Sequence, residues 1–210
     1  ESFMNQQEYD MEQAQRSAMD LKIGMWKQLS CVSNSNSSTC KTLVVIDSHK
    51  LQSDARRNSF FLSNFPQYKF TRKDAKQDTS CAVDYKKLIN VLLPNQHPIE
   101  STKPLLLSTA QHDEETNNLF EVVALPLYSK RDTRCLEYIK EKAISLAADT
   151  RLNVIIVSGD RYFETLAKDL VLQHNILVSM YGFSKYVDAP VKYQKVYHFC
   201  NLEPYFDVLT

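Results

Sequence analysis

The sequence predicts an α/β fold with a mainly parallel central sheet and helices on both faces. Three observations predict it. Short β-branched apolar runs recur at residues 42–47, 153–158 and 176–181, the pattern of strands buried on both sides. Segments of helical period at 84–93, 132–148 and 161–173 separate them, and alternation of strands with helices builds parallel sheets. Finally, 43% of the 210 residues are apolar and 24% are charged, near the globular average and enough for one packed core.

Taken in order, residues 4–29 read as one amphipathic helix, because Met11, Ala14, Ala18, Leu21, Met25 and Leu29 recur at three- and four-residue steps. The stripe suits packing on the domain; docking of a protein partner is the alternative. A Ser/Asn-rich stretch at 33–39 reads as a polar linker. The expected organisation is therefore an N-terminal helix at 1–32, a linker at 33–41 and an α/β domain at 42–210. Within that domain Thr42-Leu43-Val44-Val45-Ile46-Asp47 is a buried strand ending on a carboxylate. Residues 49–64 are ambiguous, with a helix as one reading. Residues 84–93 are helical, with Leu88, Ile89 and Leu92 facing inward, and 94–103 is a loop with two prolines. Residues 105–107 and 119–127 are strand-like and flank a polar, acidic segment. A helix over 132–148 follows from Leu136, Ile139, Ala143 and Leu146 on one face. Strands at 153–158, 176–181 and 195–199 complete the sheet, with a helix at 161–173 carrying Leu166 and Leu170 one turn apart.

Composition excludes several function classes. Twenty-five basic residues against twenty-five acidic ones leave a formal charge of zero, so any nucleic-acid binding needs a local patch rather than a chain-wide field. No apolar run reaches the ~18–20 residues of a membrane span, and no signal-peptide pattern is visible; the start at Glu1 suggests an excised fragment. The three glycines, Gly24, Gly159 and Gly182, are scattered. A nucleotide-cofactor loop needs them clustered so that backbone amides approach phosphate. Five cysteines, none in C-x-x-C spacing, argue against a closed zinc site and a disulfide framework, and point to a reducing compartment, cytoplasm or nucleus. A Cys31–Cys40 bridge across the linker is the alternative.

In open α/β sheets ligands sit beyond the carboxyl ends of the strands. That rule singles out Asp47 and Asp160, each following an apolar strand. Asp132 opens the helix that leads into the second of these strands, and Glu164 lies one helical turn after Asp160. If the two strands are neighbours, the acids converge. Clustered carboxylates favour a divalent cation, and hard oxygen ligands suit Mg²⁺ or Mn²⁺. The competing reading is structural: Asp132 and Asp160 can each cap the helix that follows.

The segment VIIVSGDRYFETLAKDLVLQHNILVSMYGF resembles the closing motif of NYN domains, a branch of the PIN-like nuclease superfamily. LVVIDSHK resembles the family's opening strand, with Asp47 at its acid. KRDTRCLEYIKEKA resembles the segment that starts the helix before the closing strand, with Asp132 at its acid, although DTSCAVD at 78–84 competes for that place. The resemblance spans roughly residues 42–200 and is most specific in the last third. It implies a PIN-like fold and metal-dependent hydrolysis of a phosphodiester bond in single-stranded RNA. Asp47, Asp132 and Asp160 would then hold Mg²⁺ or Mn²⁺, with Glu164 an auxiliary ligand or water-orienting base. Two departures favour a catalytically silent module that needs no cofactor and binds RNA or protein. Lys50 stands where the opening motif has Asn, and Tyr162 stands where many members have a second acid. An ammonium at Lys50 can pair with Asp47 and weaken metal binding.

Basic residues give the candidate RNA contacts. Lys69, Arg72, Lys73 and Lys76, interleaved with Tyr68 and Phe70, suit a phosphate backbone and stacked bases; a solvated loop face is the alternative. Arg56, Arg57, Lys130 and Arg131 add possible phosphate contacts, and Lys50 and Arg161 lie beside the acidic cluster. Asp47-Ser48-His49 invites a hydrolase reading, but neighbours on a strand point to opposite sides, so they cannot form a triad by themselves, and the flanking glycines of a nucleophile elbow are missing.

Overall fold

The computed structural model describes residues 40–64, 81–93, 102–110, 112–124, 133–187, 192 and 196–210, all within the compact unit Cys40–Thr210. The N-terminal stripe, the linker before Cys40, the basic stretch 69–76 and Lys130, Arg131 and Asp132 lie outside the described residues.

Six strands, β1 (Cys40–Asp47), β2 (Leu105–Ser108), β3 (Glu121–Ala124), β4 (Arg151–Val157), β5 (Leu177–Gly182) and β6 (His198–Asn201), form one sheet. Its order is β3-β2-β1-β4-β5-β6, and every pairing is parallel. The chain runs outward from β1 to β3, then returns to the other side of β1 and runs outward again. The topological switch therefore lies between β1 and β4. Their register pairs Ile46 with Val157, so Asp47 and Ser158 leave the sheet side by side.

Among the described residues the helices include α1 (Ser48–Asn64), α2 (Tyr85–Leu92), α3 (Glu114–Leu119), α4 (Arg134–Ala147), α5 (Tyr162–His174) and a last turn, α6 (Phe206–Leu209). Because parallel crossovers share one hand, reversing direction at the switch sends the helices of the two halves to opposite faces. Leu51 and Ala55 of α1 and Leu88 and Leu92 of α2 pack with Val44 and Ile46 of β1 on one face. Cys135, Ile139 and Ala143 of α4 and Phe163, Leu166 and Leu170 of α5 pack with Leu43 and Val45 on the other. Alternate residues of β1 thus feed two cores, which is why residues 42–47 are buried without a break. Each Leu, Ile or Phe buried this way contributes roughly 1.5–3 kcal/mol.

Local chemistry sets the helix ends. The Asp84 carboxylate accepts from the amides of Lys86 and Lys87 at the start of α2, and the Asp84 N–H donates to Leu209 O at 2.8 Å. Asp84 is therefore a cap. Asn175 closes α5 in the left-handed conformation, φ 52°, which Asn tolerates. Cys81, Cys135 and Cys200 carry thiols rather than disulfides. Among the described residues no helix is long and apolar enough to cross a membrane.

Candidate functional site

Asp47 is the last residue of β1, and its side chain is buried at the switch. Its Oδ1 accepts the Lys50 N–H at 3.0 Å, and its Oδ2 accepts the Ser158 hydroxyl at 2.9 Å. Both donors are neutral. Burial raises the Asp47 pKa above the carboxylate range; the Lys50 amide and Ser158 oppose it, and the charge of Asp160 pushes it further up.

Ser158-Gly159-Asp160 forms the turn from β4 into α5. The Ser158 oxygen also accepts the Asp160 N–H, at 3.1 Å. One buried hydroxyl thus ties the Asp47 carboxylate to the backbone that carries Asp160. The Asp160 Oδ1 accepts the Tyr162 N–H at 3.0 Å, so the helix-starting role is real and coexists with the approach to Asp47. Gly159 is required by a close approach: a Cβ there would lie 2.6 Å from Val187 Cγ2 and 3.6 Å from Asp54 Oδ2.

That last distance reveals a carboxylate absent from the sequence-based set. Asp54, on α1, is buried under the Asp160 turn and accepts from the Lys50 ammonium, with Arg57 Nη1 3.9 Å from its Oδ1. Burial outweighs both cations and pushes its pKa from 3.8 to about 6, with Asp47 adding repulsion. Asp54 Oδ1, Arg57 Nε, Asn58 Oδ1 and the Tyr186 oxygen are buried without a hydrogen-bond partner. Burial, followed by the charges of Asp54 and Glu203, raises the Tyr186 hydroxyl to about 12. The signal for Asp54 was its spacing: Asp47, Lys50, Asp54, Arg57 and Asn58 follow one helical face.

The structure brings Asp47 and Asp160 together. Glu164 is buried on α5 and pairs with Lys168 at 2.6 Å and Arg161 at 3.5 Å. Its charge also reaches the Tyr197 hydroxyl, whose pKa is raised first by burial. Arg161 is well exposed. Arg56 donates from Nε to Cys81 O at 3.2 Å, and Arg57 and Lys50 face Asp54, so these three are tied to the fold around α1. Ser48 opens α1 rather than continuing the strand, and its hydroxyl donates to Leu107 O at 2.8 Å.

Among the described residues no group of three His, Cys, Asp or Glu side chains is arranged to hold a metal ion. Asp47 and Asp160 nevertheless have the chemistry Mg²⁺ uses, since that ion takes one or two carboxylates and keeps water and phosphate as its other ligands. The mutual repulsion of the two acids is what a cation would relieve.

No known family profile matches the chain, and no curated protein matches it by sequence. Among solved structures, the chain is similar to a protein of unknown function from Vibrio parahaemolyticus. The TM-score is 0.51 at 18% identity, over 80% of this chain and 96% of that one. A likeness at this identity concerns the fold alone.

Proposed function

We propose that this chain is a PIN-like, NYN-type module that acts on single-stranded RNA by metal-dependent hydrolysis of a phosphodiester bond. The observation that carries the reading is the shared Ser158 hydroxyl at the β1–β4 switch, which joins Asp47 to the turn bearing Asp160. Asp47 and Asp160 would hold Mg²⁺ or Mn²⁺, with Asp132 as the third acid from the sequence. Such an ion activates water and stabilises the charge of an in-line displacement. Ser158 orients Asp47, and the Tyr162 amide fixes Asp160. Glu164, held between Arg161 and Lys168, keeps the exposed Arg161 guanidinium beside the mouth as a phosphate contact. From the sequence alone, the basic residues of 69–76 with Lys130 and Arg131 would add phosphate contacts, and the apolar stripe of 4–29 would be available to a protein partner. A reducing compartment suits the thiols.

A second reading, a catalytically silent RNA- or protein-binding module, is favoured by the departures from the family pattern, Lys50 in the place of Asn and Tyr162 in the place of a second acid. Labelled single-stranded RNA with Mn²⁺ separates the two. Cleavage by the parent and not by Asp160→Asn supports the enzyme. Binding by both without cleavage supports the silent module. Equal cleavage by both defeats the assignment of the site. In either case RNA affinity falls steeply with salt.

A further inference from the structure

We infer that Asp54 is a positioning residue: it draws the Lys50 ammonium away from Asp47 and so leaves the Asp47–Asp160 pair open to a divalent cation. The inference rests on the cation reading of that pair.

Lys50 begins beside Asp47, since its own N–H donates to Asp47 Oδ1 at 3.0 Å. A flexible four-carbon stem can turn back from there to a carboxylate at hand. Asp54 offers another one, a single helical turn further along α1. Among the described residues the ion pair of Lys50 is with Asp54 Oδ2, and the pair is secluded, with 16% of the Lys50 side chain and 3% of the Asp54 side chain exposed. Seclusion makes the contact strong once formed, because the charges are little screened. The hydrogen bonds to Asp47 come instead from an amide and a hydroxyl. The positive charge of Lys50 is thereby cancelled at Asp54, and the negative charges of Asp47 and Asp160 stay uncancelled by it.

Fold stability is a poor explanation for Asp54. A buried ion pair gains little over apolar packing, and this one leaves Asp54 Oδ1 buried without a hydrogen bond. Its place is better explained by what it faces: Asp54 Oδ2 lies 3.6 Å from where a Gly159 side chain would begin, against the turn that carries Asp160. The charge arrangement sits directly beneath the candidate site.

The test is Mn²⁺ titration followed by the free-ion EPR signal, with wild type, Asp54→Asn, Lys50→Met and the double variant. Asp54→Asn is expected to weaken Mn²⁺ binding by about tenfold or more, the usual scale for outer-shell changes. The double variant is expected to recover wild-type affinity, and Lys50→Met alone to bind at least as tightly as wild type. Unchanged binding by Asp54→Asn overturns the inference. So does a double variant as weak as Asp54→Asn, which would make Asp54 a ligand or a purely structural residue. A metal-free crystal structure of Asp54→Asn gives a second readout: Lys50 Nζ is expected in ion-pair contact with Asp47 or Asp160, and an ammonium left in place overturns the inference. If Asp54→Asn does not fold, Asp54→Ser carries the same comparison. Failure of both wild type and Lys50→Met to bind Mn²⁺ defeats the cation reading itself, while the metal-free structure still decides where Lys50 goes.

Discussion

Replacing Asp54 by Asn should change how stability depends on pH, in a direction the structure dictates. Burial lifts the Asp54 pKa from 3.8 to about 6, against the pull of Lys50 and Arg57. The folded chain therefore holds this proton more tightly than the unfolded chain does. The stabilisation is fully present below about pH 4 and is lost as pH rises through about 6. A shift of about two units at 1.36 kcal/mol per unit gives roughly 3 kcal/mol. Asn keeps the shape and removes the proton equilibrium. Urea denaturation from pH 4 to 8 should show the stability difference between variant and wild type moving in favour of Asp54→Asn by roughly 3 kcal/mol as pH rises. Asp47, also raised, is coupled to Asp54; removing the Asp54 charge and freeing Lys50 both lower its pKa in the variant, which flattens its slope there and moves the difference in the same direction. Parallel stability curves, or a difference moving the other way, would refute the reasoning, because they would mean that the Lys50 and Arg57 charges balance or outweigh burial.

Three further outcomes follow from the turn and the caps. Gly159→Ala places a Cβ 2.6 Å from Val187 Cγ2 and should cost about 1–3 kcal/mol; adding Val187→Ala should recover most of the loss in urea melts. Ser158→Ala removes the donor to Asp47 Oδ2 and the acceptor for the Asp160 amide; leaving them buried and unmet should cost about 1–3 kcal/mol and weaken Mn²⁺ binding measured by EPR. Asp84→Ala, which removes the α2 cap, should lower stability by about 1 kcal/mol with Mn²⁺ binding unchanged.

What could be read from the sequence follows burial. Strands β1, β4 and β5 lie inside the sheet, so their apolar runs stand out against the polar segments around them. The edge strands are harder to read. β3 occupies 121–124 within the expected 119–127, and β6 occupies 198–201 rather than 195–199, because half-buried edges carry mixed residues. The short helix α3 was hidden for a different reason: it buries no side chain and rests on its Asp113 cap, so it has no apolar period. The first helix α1 was ambiguous because its inner face buries Asp54 and Asn58 beside Leu51 and Ala55, which interrupts the stripe. The same interruption concealed Asp54 as part of the site. Asp47 and Asp160 were legible because a carboxylate after an apolar strand is conspicuous. The bridging role of Ser158 was not, since it depends on the register between β1 and β4.

The central claim is that Asp47 and Asp160 act as one cation-binding pair at the strand switch. Paramagnetic broadening of backbone amide signals by substoichiometric Mn²⁺ tests it most directly. Amides of residues 47–50 and 158–162 should broaden first, and Asp160→Asn should abolish the effect while the spectrum stays folded. Broadening centred elsewhere, or broadening at these residues that survives Asp160→Asn, would contradict it.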